Sequence, residues 1–438
     1  MVKVLLTGIA LFMLTATNAQ AQNISKTIGN ITAVKNSEVK IPVVLKNINP
    51  TEIKNITLTI DIAGEEQQVE VTPEMIINND GTSMFYVTAE APTTTGMADM
   101  NITIDAINGK KMNDVDVTTS SNIMTVSRNV EHKVLIEKYT AMWCPTCPTG
   151  IVGIERTKMN YGDKVIVLES HSQDPLTSKD YKDLDNLHRN LPRATVDRDP
   201  VIGDVNPYLG SERQSNEAKY GLGYDIEEQM AIAPVVELKI GGGIVDKEIT
   251  VKANITTLYT GDANLGVSYI VTQDGLSNPN WKQQNSLPIY YRDHEVIQIE
   301  PLWEPWFNGE VEVPGVVYDD VIRCASEPLK GHMDVIPSQV EEEKTYTGEH
   351  VFDMSKYKKI KEYDNMNLCV IVIDNNTGKI VNSAIVKLSE ANAIDDVASD
   401  NVTEVARYSI DGQRITTPAK GINIVKFSDG SVRKVMIK

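Results

Sequence analysis

Two cysteines separated by two residues stand where a predicted strand, residues 133–139, gives way to a predicted helix, residues 145–160. Cys144 and Cys147 belong to the run Trp143-Cys144-Pro145-Thr146-Cys147-Pro148. A thiol attacks a disulfide as its thiolate, so the pKa of the thiol must be lowered. The unpaired backbone N–H groups at a helix N-terminus favour that negative charge. We therefore expect Cys144 to be the exposed, attacking sulfur and Cys147, about one helical turn further on, to resolve a mixed disulfide.

Two other uses of this cysteine pair are open. A structural zinc site needs four ligands, usually from two CxxC pairs or from added histidines. The chain has one CxxC run, and no pattern fixes His132 or His171 beside it. We therefore predict no bound metal, and thiol chemistry of this kind needs no bound cofactor. The second alternative is a pair that stays oxidised in a protein whose work is binding.

The segment around the cysteines alternates predicted strands with predicted helices. Strands are expected at residues 133–139, 164–169 and 193–198, and helices at residues 145–160, 178–190 and 211–230. Strands that alternate with helices imply an α/β layer containing a parallel pair. In such a layer the loop before strand 193–198 faces the helix that carries the cysteines.

That facing loop contains Leu191-Pro192. A Trp-Cys-x-x-Cys run at the first helix, with a proline opposite it, resembles the thioredoxin superfamily. The resemblance implies that Cys144 is the nucleophile, that Cys147 is the resolving thiol and that Pro192 follows a cis peptide bond. It also implies that the Leu191 backbone pairs with an extended substrate, next to Trp143.

One position departs from this superfamily. Many thioredoxins carry a buried carboxylate six residues before the first cysteine, where it serves proton transfer. Here that residue is Lys138, and the adjacent Glu137 would point to the opposite face of its strand. We interpret Glu137 as an ordinary surface or strand-end residue. With Lys138 in place of that carboxylate, we expect proton transfer, and therefore turnover, to be less efficient.

The rest of the chain is predicted to be rich in short strands. Residues 1–21 are typical of a secretory signal peptide, with Lys3, an apolar run and the small-x-small site Ala19-Gln20-Ala21. The expected fold class is a multidomain α+β protein, with an N-terminal immunoglobulin-like β-sandwich (22–128), a central α/β thioredoxin-like domain (129–232), a C-terminal antiparallel β-sandwich (233–388), a linker (389–404) and a short β-rich tail (405–438).

The charge of the chain argues against one class of partner. Among 438 residues, 60 are acidic and 42 are basic, so the net charge is −18. A protein that binds a phosphate backbone needs a dense field of Lys and Arg, so we expect no nucleic-acid partner. No stretch is apolar over the roughly 20 residues of a membrane-spanning helix, so no transmembrane span is expected. Export places the chain in an oxidising compartment, where disulfides persist.

Two further cysteines, Cys324 and Cys369, fall in predicted strands of the last β-domain. In an exported protein they could form a structural disulfide. Two buried free thiols are the alternative, because the sequence does not show whether the two strands are neighbours.

Three aspartates and two tryptophans give weaker indications of a binding site. Asp197, Asp199 and Asp204 lack the glycine and glutamate spacing of a known calcium loop, so we interpret them as a solvated turn. Trp303 and Trp306 are expected to pack in the core or a loop rather than to form an exposed recognition surface.

The combined layout resembles the family related to outer membrane protein 28 of Bacteroidetes, which joins a Trp-Cys-x-x-Cys-Pro thioredoxin-like domain to a β-sandwich. The resemblance covers residues 131–388 and rests on residues 143–148, Leu191-Pro192 and a predicted hairpin at 375–385. Residues 406–438 resemble the C-terminal sorting domains of that phylum's type IX secretion. The resemblance implies export to the periplasm, the outer membrane or the cell surface.

Two functions are therefore expected of this sequence. The first is thiol-disulfide oxidoreductase-like activity through the Cys-Pro-Thr-Cys site, acting on exported protein thiols or disulfides, with an outer-membrane or surface partner. The alternative is a non-catalytic surface binding or adhesion protein that uses the thioredoxin-like domain as a scaffold.

Overall fold

A computed structural model gives a β-rich chain built from several sheets. It describes residues 22–24, 31–47, 52–72, 82–112, 118–188, 190–205, 207, 222–287, 301–307, 309–391, 404–409, 412–415, 417–427 and 432–437. The predicted signal peptide, most of the predicted linker and the first part of the predicted helix at 211–230 lie outside these residues. The chain divides into two compact units, Met1–Asn392 and Ala393–Lys438.

The N-terminal part of the first unit consists of strands. They are β1 (Gln22–Ile24), β2 (Ile31–Val34), β3 (Glu38–Asn47), β4 (Ile56–Ile62), β5 (Glu65–Val71), β6 (Thr82–Glu90), β7 (Gly96–Ile107), β8 (Lys110–Lys111) and β9 (Thr118–Val126). One sheet has the order β1-β3-β6, and the other has the order β2-β9-β7-β4-β5 with β8 on β7. Alternate residues of β4 are buried, as expected where one strand face meets a core. Residues from both sheets, such as Ile41 and Leu58, share that core.

The segment that holds the CxxC run alternates strands and helices. Its elements are β10 (Val134–Thr140), α1 (Pro148–Tyr161), β11 (Val165–His171), α2 (Lys182–Leu187), β12 (Arg193–Val196) and α3 (Leu222–Met230). β10 is parallel to β11 and antiparallel to β12. A further bridge joins Ala194 to Val205. The strand and helix order is therefore the one that the sequence predicts, with α1 beginning three residues later than expected.

Strands follow again after α3. They are β13 (Val236–Val245), β14 (Glu248–Thr257), β15 (Gly261–Asp262), β16 (Leu265–Gln273), β17 (Lys282–Gln284), β18 (Glu312–Pro314), β19 (Val321–Ser326), β20 (Gln339–Val340), β21 (Lys344–Asp353), β22 (Met366–Asp374) and β23 (Ile380–Lys387), with a short helix α4 (Glu304–Phe307) between β17 and β18. The sheet β13-β14-β21 packs on the face of β16 and β22, and residues such as Val251 and Val370 form the core between them.

One seven-stranded sheet, with the order β12-β10-β11-β19-β16-β22-β23, joins the CxxC segment to the strands that follow it. The junction is the parallel pair of β11 and β19, at Glu169 and Val321. On one face of this sheet, α1 and α3 pack through Ile154 and Ile226. On the other face, α2 packs through Leu184. The CxxC run therefore starts from a strand that has a neighbour on each edge and helices on both faces.

The second unit is a four-stranded antiparallel sheet. Its strands are β24 (Glu404–Ser409), β25 (Arg414–Ile415), β26 (Gly421–Phe427) and β27 (Val432–Ile437), in the order β25-β24-β26-β27. This agrees with the β-rich tail predicted for residues 405–438. Across the described parts of both units, no helix combines the length and the apolar character needed to cross a membrane.

Candidate functional site

Strand β10 positions the CxxC run, and every residue of this strand is buried. Backbone pairing holds it between β11 and β12, and apolar side chains such as Leu135 and Ile136 pack in the cores on the two faces of the sheet. The chain leaves the sheet after Thr140 and enters α1 at Pro148. A proline suits the first position of a helix, because its missing N–H would have no partner there. The two cysteines therefore lie in a short turn between a rigid strand and a helix start.

A disulfide joins Cys144 to Cys147, and their Cα atoms are 5.4 Å apart. The Cys147 N–H donates to the Cys144 carbonyl at 3.3 Å. Cys147 is the residue immediately before α1, and its own carbonyl accepts from Gly150 at 2.9 Å and from Ile151 at 3.2 Å. Cys147 is thus tied into the first turn of α1, while Cys144 precedes that turn.

The exposure predicted for Cys144 is wrong. Only 3% of the residue is exposed, and Cys147 is fully buried. The helix starts at Pro148 rather than at residue 145, so Cys144 lies before the helix rather than at its first position. The side chain of Cys144 is buried because it packs with Ala141, Cys147 and Leu191 in one small cluster.

The segment that covers the turn is residues 282–286, and we call it the strap. Its contacts are to backbone carbonyls of the CxxC turn. Gln284 N donates to Met142 O at 2.7 Å, and Ser286 N donates to Pro145 O at 2.8 Å. The side-chain amide of Gln283 donates to Cys144 O at 2.9 Å.

Gln283 is a site residue that the sequence analysis missed. It is 1% exposed, and its amide oxygen accepts from the Tyr318 hydroxyl at 3.1 Å. It reaches Cys144 across 139 positions of sequence. A glutamine in a short polar run carries no local signal of such a contact, so the sequence offered no way to find it.

The loop that contains Leu191-Pro192 faces the cysteines, and the peptide bond between these two residues is cis. Leu191 packs against a small cluster formed by Ala141 and both cysteines. The Thr146 hydroxyl donates to Leu191 O at 3.5 Å. A Cβ on Gly150 would lie 3.2 Å from Pro192 Cβ, so the glycine in α1 permits this close approach. The two motifs that the sequence analysis paired are therefore in contact.

Trp143 is the exposed part of the site. Its side chain is at the surface, with the residue 49% exposed, and its indole N–H donates to Ser172 O at 2.8 Å. The hydrogen bond fixes one edge of the ring to the end of β11 and leaves an apolar face in water. A fixed, exposed indole beside Cys144 is suited to contact a substrate.

Lys138 is fully buried and forms an ion pair with Glu169, its register partner on β11. A Cβ on Gly150 would lie 3.5 Å from Lys138 Cε, so the end of this side chain lies under the first turn of α1. Burial raises the pKa of the Glu169 carboxyl, but Lys138 and His171 outweigh burial and lower that pKa to about 2. A charged pair is therefore held beneath the CxxC turn.

Two further side chains, His171 and Asp174, link the Lys138–Glu169 ion pair to the backbone of the CxxC turn. His171 Nε2 is 3.4 Å from Glu169 Oε2, and its Nδ1 is 2.7 Å from Asp174 Oδ2. Asp174 Oδ2 also accepts from Met142 N at 3.0 Å. Burial lowers the pKa of the His171 imidazole, but its bonds to Asp174 and Glu169 outweigh burial and raise the pKa above its ordinary value.

The interpretation of Glu137 as a surface or strand-end residue is wrong. It is 1% exposed and lies on the α2 face of β10. Arg198 donates two bonds to its carboxylate, at 2.7 Å and 2.6 Å. Tyr181 and Thr195 donate two more, at 3.0 Å and 3.1 Å. Burial raises the pKa of Glu137, and the Arg198 charge and these hydrogen bonds outweigh burial and lower it.

The disulfide considered for Cys324 and Cys369 does not form. Both are free, buried thiols. Their strands, β19 and β22, are separated by β16, where Cys324 pairs with Val271 and Cys369 pairs with Ile270. Neighbouring residues of β16 face opposite sides of the sheet, so the two sulfurs belong to different cores. Burial raises the pKa of both thiols.

The solvated turn predicted at three aspartates is wrong for two of them. Asp197 is fully buried and accepts from Leu135 N at 2.8 Å, and Asp199 is 6% exposed and pairs with Lys379 at 2.9 Å. Among the described residues, no group of three or more His, Cys, Asp or Glu side chains is arranged to hold a metal ion.

The tryptophan pair contributes to packing, as expected. Trp306 is 7% exposed and packs with Val152 of α1. Trp303 is partly buried against the same cluster.

Comparison with known proteins gives distant structural likenesses only. No protein-family model and no curated protein matches the chain. HBP35 of Porphyromonas gingivalis is 14% identical with a TM-score of 0.41, over 70% of this chain and 99% of that chain. A protein of Agrobacterium tumefaciens is 14% identical with a TM-score of 0.31, over 60% of this chain and 98% of that chain. A CARDB domain from Pyrococcus furiosus is 16% identical with a TM-score of 0.18, over 27% of this chain and 97% of that chain. At these scores none of the three establishes a fold family or a function for this chain.

Proposed function

We propose that Cys144 and Cys147 form a thiol-disulfide exchange centre in a thioredoxin-like layer of an exported cell-envelope protein. The observation that carries the proposal is the disulfide itself, held between the end of a central strand and the start of a helix, with Leu191 packed against both cysteines. Its substrates are the thiols or disulfides of other exported proteins, and residues 129–232 are its thioredoxin-like domain.

The order of elements supports the thioredoxin-like assignment. The CxxC turn follows β10, the next strand is parallel to β10, and the strand after Leu191-Pro192 is antiparallel to it. The loop before that strand packs on the CxxC turn. This is the arrangement that the resemblance to the superfamily implies for residues 191 and 192.

The exchange needs two sulfurs with different roles. In the reducing direction, the Cys144 thiolate attacks a substrate disulfide, forms a mixed disulfide and releases one substrate thiolate, which takes up a proton. The Cys147 thiolate then attacks Cys144 Sγ, restores the intramolecular disulfide and releases the second substrate thiol. Two electrons pass from the cysteine pair to the substrate. The reverse sequence oxidises a substrate dithiol and reduces the pair.

The start of α1 favours a thiolate at the cysteine pair. Cys147 lies at the N-terminus of a 14-residue helix, the positive end of the helix dipole. The Lys138 side chain lies under the same turn, where Glu169 compensates its charge. Trp143 is exposed and Leu191 packs against both cysteines, so an extended substrate that reaches the pair would contact these two residues.

Insulin reduction with a chemical reductant tests this proposal. We expect turnover by the wild-type protein and loss of at least about 100-fold in Cys144→Ser, because the nucleophile is absent. Cys324→Ala, which removes a buried thiol of another strand, is the matched control and should retain wild-type turnover. Equal rates in the wild type and Cys144→Ser would overturn the proposal.

A second candidate function is favoured by the burial of Cys144, at 3% exposed. In this alternative the disulfide is locked, and the protein binds or adheres at the cell surface with the thioredoxin-like layer as a scaffold. Cys144→Ser would then leave partner binding unchanged, and the native disulfide would persist at reductant concentrations that open exposed disulfides.

A further inference from the structure

We propose that the strap, residues 282–286, is an autoinhibitory contact that closes the Cys144–Cys147 site and that an extended polypeptide substrate must displace. This inference rests on the proposed function and adds to it a means of control and a substrate class. It is carried by the hydrogen bonds between the strap and the backbone of the CxxC turn.

The strap binds the turn as a strand binds its neighbour. The N–H groups of Gln284 and Ser286, two positions apart, donate to Met142 O and Pro145 O at 2.7 Å and 2.8 Å. In an extended segment every second N–H group points to the same side and can donate to a neighbouring backbone. The strap therefore occupies backbone acceptors beside Cys144 that an incoming extended peptide could use.

The Gln283 side chain binds the strap to the backbone of Cys144, the proposed nucleophile. Its buried amide donates to Cys144 O at 2.9 Å and to Ala141 O at 3.4 Å. The Tyr318 hydroxyl donates to the other end of the same amide at 3.1 Å and so fixes its orientation. Because all three bonds are buried, losing them without replacement is costly, and the closed state is favoured while no substrate is present.

The outer side of the strap is held by Asn285, which is fully buried: its side-chain amide donates to Trp306 O at 2.8 Å and its N–H donates to Val311 O at 2.8 Å. β17 pairs with β18, and the ion pair between Lys282 and Glu312 at 2.7 Å is about half exposed on both sides. Exposed ion pairs contribute little to stability. Opening therefore breaks the inner contacts at Gln283 and Ser286, while Asn285 keeps the strap attached to the segment before β18.

Two rates, measured on the full chain, test the proposal. One is the alkylation of Cys144 by iodoacetamide after reduction with dithiothreitol, followed by mass spectrometry. The other is disulfide exchange with an unstructured peptide that carries one cysteine as a mixed disulfide. The decisive variant is Gln283→Ala, and its matched control is Gln284→Ala, which alters the neighbouring amide that bonds to exposed Glu312.

We expect Gln283→Ala to accelerate both reactions about tenfold, since buried hydrogen bonds that keep the strap closed are lost. Gln284→Ala should stay within about twofold of the wild type, because its bond lies at an exposed position. Tyr318→Phe removes only the hydroxyl that orients Gln283, so about threefold acceleration is expected. Tyr346→Phe is its control, because the Tyr346 hydroxyl is buried without a hydrogen-bond partner.

The outcomes test the role of the strap and the proposed function separately. Wild-type rates in Gln283→Ala and Tyr318→Phe would overturn the autoinhibitory contact, whether or not the protein exchanges disulfides. Faster alkylation without peptide exchange in any variant would support the strap and overturn the oxidoreductase function. Should Gln283→Ala fail to fold, as judged by thermal unfolding, Tyr318→Phe decides the question, because it keeps the shape of the side chain.

Discussion

At the scale of single residues, strand β10 carries two buried charges on opposite faces, and each has its counter-charge. Glu137 pairs with Arg198 on the α2 face, and Lys138 pairs with Glu169 under α1. Buried ion pairs add little stability as a whole, but removing one partner leaves an uncompensated charge. These pairs therefore fix the strand that leads into the CxxC turn.

Breaking one of these buried ion pairs should lower the free energy of unfolding far more than breaking an ion pair at the surface. We expect Arg198→Met to lower the free energy of unfolding by about 3–5 kcal/mol, because Glu137 stays buried without its cation. Arg128→Met is the control: the Arg128 side chain is 40% exposed in its pairs with Glu237 and Glu343, and its loss should cost less than about 1 kcal/mol. Urea unfolding measures both, and similar losses would contradict this account.

The Glu169 carboxyl should make stability depend on acid. Its pKa is about 2 in the folded protein and 4.5 ordinarily, so the unfolded chain binds the proton more readily between these values. Stability from this group is therefore present above about pH 4.5 and is lost as the pH falls toward 2.

Unfolding free energies measured from pH 5 down to pH 2 test this dependence. We expect Glu169→Gln to be less stable at pH 5, because Lys138 loses its partner, and to show a shallower fall toward pH 2 than the wild type. Parallel curves for the two proteins would show that Glu169 does not carry the effect.

At the scale of elements, the position of α1 depends on the absence of a side chain at Gly150. A Cβ there would lie 3.2 Å from both Pro192 Cβ and Pro207 Cγ. These are ring atoms, which cannot rotate away. The helix that follows Cys147 and the loop of Leu191-Pro192 therefore approach closely only because residue 150 is glycine.

Gly150→Val should push α1 away from this loop. We expect a loss of about 1–3 kcal/mol from overpacking, with slower thiol exchange. The matched control is Gly243→Val in β13, where an added Cβ meets nothing within 4 Å. Valine favours strands, so that variant should be neutral or slightly more stable. Differential scanning calorimetry compares the two, and an undisturbed Gly150→Val protein would refute this packing argument.

Local patterns predicted much of this part of the fold, because they report on neighbours in sequence. The run of apolar residues in β10 and the cysteine spacing led to the strand, the turn and the helix. The start of α1 was placed three residues early, since Pro145 also fits a first helical turn. Gln283 and the pairing of Lys138 with Glu169 were not predicted, because those contacts depend on which distant strands become neighbours.

At the scale of the whole molecule, the seven-stranded sheet makes the CxxC layer continuous with the strands after it. Glu169 of β11 pairs with Val321 of β19, and Glu169 N donates to Asp320 O at 2.9 Å. The strap comes from the same later part of the chain. The domain boundaries at residues 129, 232 and 388 remain predictions from the sequence. The seven-stranded sheet contains strands from both sides of residue 232.

The continuity of this sheet has a consequence for fragments. Residues 129–232 alone would expose the edge of β11 and lack the strap, whereas residues 129–391 keep both. Exposed edges of buried strands promote aggregation. We expect the shorter fragment to aggregate or to lack dispersed amide signals in an NMR spectrum, and the longer one to fold. A stable, monomeric fragment of residues 129–232 would contradict this.

The most direct test of a thiol-disulfide exchange centre is a trapping measurement with Cys147→Ser. Without the resolving thiol, the Cys144 thiolate should attack an extended peptide whose cysteine is supplied as a mixed disulfide with a small thiol, release that small thiol and hold the peptide as a stable mixed disulfide, detected as one added peptide mass and absent from Cys144→Ser. No adduct on Cys144 after reduction, even in the Gln283→Ala background where the strap is loosened, would contradict the account.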